Sequence, residues 1–265
     1  PEHIADTIIV VGDPERVSKV STYFDRIDFK ISKREFVTHT GIYQGKPITV
    51  ISTGIGTDNV EIVMQELDAL ANIDLQTRTI REKLRSLNII RIGTSGSIQS
   101  DIPVGSLVAS TGAIGLDTLS SFYNIQQDDT ETTICNVLRQ HLALAFVPYF
   151  SQCSNLLLKA LKDDEMIQGT TLTCPGFYAP QGRQLRISGL NLNLTKLLAQ
   201  FQHDDVKISN IEMETAGYYA FANLMGHHAL SFNAILANRI TNKFADNPED
   251  LVDTLIKKVL KYLVT

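Results

Sequence analysis

Cysteine is scarce: the 265 residues contain three, Cys135, Cys153 and Cys174, with no CxxC pair. An odd, widely spaced set argues against a disulfide framework or a structural zinc site. Glycine (16) and proline (8) are modest and charged residues make up 20%, so collagen-like and wholly disordered chains are excluded. The longest apolar stretch, near 142–150, is broken by Pro148 and falls far short of a membrane span. No signal-peptide pattern precedes the first strand, so the expected location is a reducing cytoplasm. Basic residues are not in excess: 24 Lys and Arg face 29 Asp and Glu, a net charge of −5. That argues against a nucleic-acid partner and leaves room for a local basic pocket holding a small anion.

What is present is a 43% hydrophobic chain long enough to bury a core. Its β-branched runs alternate with helical patterns. Residues 7–11, 48–52 and 88–92 read as buried strands, joined by 107–109 and 230–236. Helical patterns lie near 60–70, 133–145 and 214–225, with Gly226 placed to end the last of these. A final helix opens at Asn247-Pro248 and carries Leu251, Leu255 and Val259 at helical spacing. Residues 72–85 are basic and amphipathic and read as a solvated helix or a subunit contact. No repeat or linker-like tract divides the chain. The simplest solution is one α/β domain over residues 1–265, a three-layer α/β/α sandwich around a central mixed sheet.

In such sheets ligands bind beyond the carboxyl ends of the strands. Gly12-Asp13-Pro14-Glu15-Arg16 reads either as a plain strand-to-helix connection or as an anion cradle of backbone N–H groups and a guanidinium. Arg91-Ile92-Gly93-Thr94-Ser95-Gly96 places an arginine inside an apolar strand. It needs either an internal ion pair or a polar cavity. Glu212-Met213-Glu214 reads as acids at a helix start or as a carboxylate for sugar hydroxyls. Phe177-Tyr178-Ala179-Pro180-Gln181-Gly182-Arg183 is a surface loop or a heterocycle-binding loop, with Phe177 as a stacking face and Gln181 and Arg183 as polar contacts. No Walker A motif occurs, and Gly54-Ile55-Gly56 lacks the third glycine of a dinucleotide fingerprint.

Together these motifs, with Lys33-Arg34-Glu35-Phe36, Ser52-Thr53-Gly54-Ile55-Gly56 and Asn238-Arg239, resemble the nucleoside phosphorylase-I family, and within it the pyrimidine-directed bacterial branch. The resemblance implies cleavage of a pyrimidine nucleoside by inorganic phosphate, yielding free base and a pentose 1-phosphate. It implies that Gly12, Arg16, Arg91 and Thr94 bind phosphate, with Arg34 reaching the neighbouring subunit's site. Met213 and Glu214 match ribose positions, while Phe177, Gln181 and Arg183 match the base loop. Arg91, Glu214, Gln181 and Arg183 are the expected catalytic groups. The implied assembly is a homodimer with shared sites, built into a hexamer. A site histidine is expected from a segment upstream of Pro1, and His3 is not given that role.

No metal, redox cofactor or membrane contact is expected. The resemblance allows a potassium ion held between subunits near Glu35, Ile55 and Asn59, although Asn59 stands where a serine is expected. Three alternatives compete: a purine nucleoside phosphorylase, a nucleosidase that uses water, and a non-catalytic nucleoside-binding protein. Arg16, Arg34 and Arg91 disfavour hydrolysis. Asn238-Arg239, where purine-directed relatives carry Ser-Asp, disfavours purines. Arg91→Ala is expected to abolish turnover with little effect on folding.

Overall fold

A computed structural model describes residues 3–160, 165–191 and 193–264. The chain opens with β1 (Thr7–Val11), whose last four residues are buried as its apolar run requires. Asp13 then caps α1 (Pro14–Ser21): its Oδ1 accepts from the Glu15 N–H at 2.9 Å, and Pro14 opens the helix. An antiparallel meander follows: β2 (Arg26–Lys33), β3 (Phe36–Tyr43) and β4 (Lys46–Ser52). The helix expected near 60–70 is α2 (Thr57–Asn72).

Beyond Asn72, which ends α2, residues 73–85 are not helical. They form a small hairpin, β5 (Ile73–Asp74) with β6 (Thr79–Ile80), and an irregular return to the sheet. The reason is local. Asp74 Oδ1 accepts from the Gln76 and Thr77 N–H groups, turning the chain, and Arg78 adopts a left-handed φ of 58°. Asn72 ties the two ends together. Its amide donates to Asp68 Oδ1 at 2.6 Å and to the Arg85 carbonyl at 3.1 Å, while its Oδ1 accepts from the Arg85 N–H at 2.7 Å.

The central strands run longer than their apolar cores suggested. β7 spans Asn88–Ser97, so Gly93-Thr94-Ser95-Gly96 lies within a strand, and β8 spans Leu107–Gly115. The helix expected at 133–145 is α3 (Asp129–Leu142). An Asp128–Glu131 capping box starts it early, and left-handed Ala143 ends it. Next come β9 (Tyr149–Gln152), α4 (Asn155–Ala160), β10 (Ile167–Thr173), α5 (Leu194–Gln200), β11 (Gln202–His203) and β12 (Val206–Glu212). The closing elements are α6 (Thr215–Met225), β13 (His228–Asn238), β14 (Lys243–Phe244) and α7 (Pro248–Val264). Gly226 ends α6 at φ 73°, as its position suggested. His227 and His228 do not share a helix end, because β13 begins at His228.

The expected mixed α/β architecture is the one observed. The sheet has 12 strands, its main path running β11-β12-β10-β8-β13-β7-β1-β4-β3-β2. β12 also pairs antiparallel with β7, Ile211 opposite Gly96, which closes β7, β13, β8, β10 and β12 into a ring. β1 lies parallel between β4 and β7, with Val11 opposite Ser52 and Val10 opposite Arg91. The main core joins these strands to α2, α6 and α7. Gly217 lets α6 approach α2 closely, since a Cβ there would lie 3.2 Å from Thr57 Cγ2. α7 buries Val252, Leu255, Ile256, Val259 and Leu260; at roughly 1.5–3 kcal/mol per buried aliphatic side chain, that face anchors the helix. Among the described residues no helix is long and apolar enough to cross a membrane.

Asn72→Ala removes the clasp of the hairpin and leaves Arg85 backbone groups without their partner. The variant should lose about 1–3 kcal/mol in urea unfolding with an unchanged m-value. Its catalytic constants should match the parent's, because the clasp lies outside the site.

Candidate active site

Parallel pairing brings the carboxyl ends of β4, β1 and β7 side by side, with β10, β12 and β13 contributing further ends. They frame a cavity of about 900 Å³. Arg91, buried on β7, lines it. Its Nη2 lies 2.6 Å from Glu214 Oε2 and 3.0 Å from Glu212 Oε2. Its Nη1 donates to Asn233 Oδ1 at 2.9 Å, and Ser231 stands opposite Arg91 in the β7–β13 register. Burial alone would lower the Arg91 pKa; the two carboxylates reverse that and hold it above its ordinary value. Arg91 is therefore internally ion-paired and also lines the cavity.

The two acids have separate tasks. Glu212 Oε2 accepts from the Glu214 N–H at 3.0 Å and the Thr215 N–H at 2.9 Å, and Oε1 accepts from the Thr173 hydroxyl at 2.6 Å. It satisfies the amino end of α6, the structural reading of the motif. Glu214 instead bridges Arg91 and the Gly56 N–H, the latter at 2.8 Å, at the start of α2. Burial raises the Glu214 pKa first; Arg91 opposes that rise. Met213 is half-buried and also lines the cavity.

Gly12, Arg16 and Thr94 line the same cavity. Arg16 Nη1 donates to the Ile92 carbonyl at 3.3 Å. Burial lowers its pKa, and the nearby positive charge of Arg91 lowers it further. Two guanidiniums thus face one space, Arg16 from the first turn of α1 and Arg91 from β7. Glycine makes room for them: a Cβ on Gly93 would fall 1.9 Å from Arg91 Nη1, and one on Gly12 would fall 3.3 Å from the Gly54 carbonyl oxygen. Arg34 is absent from this cavity. It is exposed at the β2–β3 turn, with a left-handed φ of 56°.

The loop after β10 closes the opposite end. Arg183 lies 3.7 Å over one face of Phe177, so that face is already covered by a cation. Arg183 Nη1 also donates to the Phe177 carbonyl at 2.7 Å and to Gln181 Oε1 at 2.6 Å. Arg239, just beyond β13, donates to the Gln181 carbonyl at 2.6 Å and also to Gln181 Oε1. With its oxygen committed to two guanidiniums, the buried Gln181 amide presents its nitrogen, a donor. Arg239 Nε is buried without a hydrogen-bond partner. Burial and the neighbouring Arg183 lower the Arg239 pKa to about 10. Arg239, as part of Asn238-Arg239, belongs to the family motifs and disfavours purines, but it is not among the expected site residues. The available signal was its place just after the buried run 230–236, at a strand's carboxyl end. Among the described residues no cluster of three or more His, Cys, Asp or Glu side chains is placed to hold a metal ion.

A family model described as the phosphorylase superfamily matches residues 6–264. The chain belongs to that superfamily. It is 30% identical over 267 residues to a uridine phosphorylase of Thermococcus kodakarensis, covering 99% of this chain and 84% of that protein. The uridine phosphorylase of Escherichia coli K12 is 29% identical over 252 residues, 94% of this chain and 87% of that protein. Among solved structures, a Trypanosoma brucei nucleoside phosphorylase described as showing uridine phosphorylase activity superposes with a TM-score of 0.90. It is 30% identical, and the match covers 99% of this chain and 94% of that one.

The ion-pair geometry revises one expectation. Arg91→Ala would leave Glu212 and Glu214 buried without their shared cation, so it should destabilise the fold by roughly 3–5 kcal/mol in addition to abolishing turnover. Urea denaturation of the variant and of Arg91→Ala combined with Glu212→Gln should show the second to be the more stable.

Proposed function

We propose that this enzyme cleaves uridine-like nucleosides by phosphorolysis, giving free base and a pentose 1-phosphate. One observation carries the reading. A single cavity has paired guanidiniums and glycines at one end, a buried carboxylate at its centre and a donor-rich loop at the other end.

Phosphate is a weak nucleophile toward C1′, so the bond to the base must largely break before the new bond forms. The sugar then carries positive charge. Arg16 and Arg91, with Thr94 and the Gly12 N–H, would place the phosphate dianion below that carbon. Glu214, fixed by Arg91 and Gly56, would accept hydrogen bonds from the ribose hydroxyls and stabilise the cationic ring. Met213 would pack against the sugar. The departing pyrimidine gathers negative charge on its carbonyl oxygens. Gln181 Nε2 and Arg183, which line the cavity, would present donors to that edge. A base with an exocyclic amine would set donor against donor. A 2,4-dioxo base suits the loop.

Arg16 and Arg91 are matched by Glu212 and Glu214, so a phosphate dianion still lacks a counter-charge. We propose that Arg34, exposed and outside its own cavity, supplies it to a second subunit. The proposed unit is a homodimer with shared sites, assembled into a hexamer as the family resemblance implies. A cytoplasmic role in nucleoside catabolism and pyrimidine salvage fits the three free, buried cysteines. A purine reading is the nearest alternative, since a 6-oxopurine also offers an acceptor edge.

A substrate panel with and without phosphate tests the reaction: uridine absorbance should fall only with phosphate, with equimolar base and pentose 1-phosphate formed. Gln181→Ala should cost about 10²-fold in uridine kcat/KM with a smaller change in phosphate KM. Preference for inosine over uridine in the parent would transfer the assignment to purines. In a subunit-mixing assay, Arg34→Ala and Arg16→Ala homodimers should each be impaired, and hybrids should regain activity through one intact site. Absence of recovery in verified hybrids would remove the shared-site model.

A further inference from the structure

Glu35 and Asn59 meet at the cavity wall beside Gly54 and Ile55. The Asn59 amide nitrogen donates to Glu35 Oε1 at 3.3 Å. A Cβ on Gly54 would lie 2.5 Å from that nitrogen and 3.1 Å from Glu35 Cγ, and Gly54 has a left-handed φ of 70°. The corner therefore closes only because residue 54 is glycine. Glu35 is also held through its backbone. The Ser52 hydroxyl donates to the Glu35 carbonyl and accepts from the Val37 N–H at 2.8 Å.

This is the place where the family resemblance allows a potassium ion. Such an ion requires oxygen lone pairs converging on one point. The carboxylate oxygen here faces an N–H donor instead. Turning the amide over would bring its oxygen against the carboxylate, so the acceptor fixes the orientation. The residues do not fit the ion. We propose that Asn59 takes the place of a cation: a tethered donor that satisfies Glu35 and fixes the Glu35–Gly54 corner without potassium. The inference rests on the proposed phosphorolysis only for its activity readout. Its stability readout stands apart from turnover.

The test uses full-length protein exchanged into tetramethylammonium chloride, then titrated with potassium chloride at constant ionic strength. Melting temperature and initial rate of uridine cleavage are read together. The parent should show no potassium-specific change in either. Asn59→Ser removes the amide and offers a hydroxyl oxygen. Its melting temperature should drop in tetramethylammonium and recover with potassium in a saturable manner. A saturable, potassium-specific rise in the parent's melting temperature would overturn the proposal. So would an Asn59→Ser protein that melts with the parent in tetramethylammonium, since the amide would then be satisfying nothing. If Asn59→Ser fails to fold, the parent titration alone decides. A parent that ignores potassium and also fails to cleave uridine leaves this inference standing and removes the reaction.

Discussion

The site depends on one buried cation held by two carboxylates. Arg91 sits on a central strand where an unpaired charge would be prohibitive, and Glu212 and Glu214 make it tolerable. The same contacts orient everything nearby. Glu212 ties the cation to the start of α6, and Glu214 ties it to the start of α2. Two helices and a strand are thereby fixed to one guanidinium. The same charges open onto a cavity shared with Arg16, Thr94 and the 177–183 loop.

The sheet supplies the geometry. Parallel pairing aligns the ends of β4, β1 and β7, so glycine turns distant in sequence stand together. The β12–β7 contact bends the path into a ring and carries the acidic motif toward Arg91. A flat sheet in the same strand order would leave Glu212 several strands away. Closure is therefore what gathers a row of strand ends around one cavity.

Much of this was legible in the chain. β-branched runs located the inner strands, and Asp13-Pro14 and Asn247-Pro248 located helix starts. Gly12, Arg91 and Gln181 could be picked out because each combines a demanding residue with a strand end or a loop. Residues 72–85 misled because basic residues interleaved with apolar ones mimic a helical face, whereas Asp74 side-chain bonds to the backbone outweigh that pattern and turn the chain. Arg239 was visible as a motif member, but its role was not: that depends on its meeting Gln181, which lies 58 residues away in the chain.

Local sequence was enough to mark the inner strands, several helix starts, the strand ends worth inspecting and the kinds of side chain gathered there. These follow from local periodicity, capping chemistry and the cost of burying charge, all of which act over a few residues. Tertiary structure alone decided which acid caps α6 and which reaches the start of α2, which end of the Gln181 amide meets the two guanidiniums, and that Arg34 lies outside this cavity. Each of those depends on partners remote in the chain, and only the closed sheet brings them within hydrogen-bonding distance.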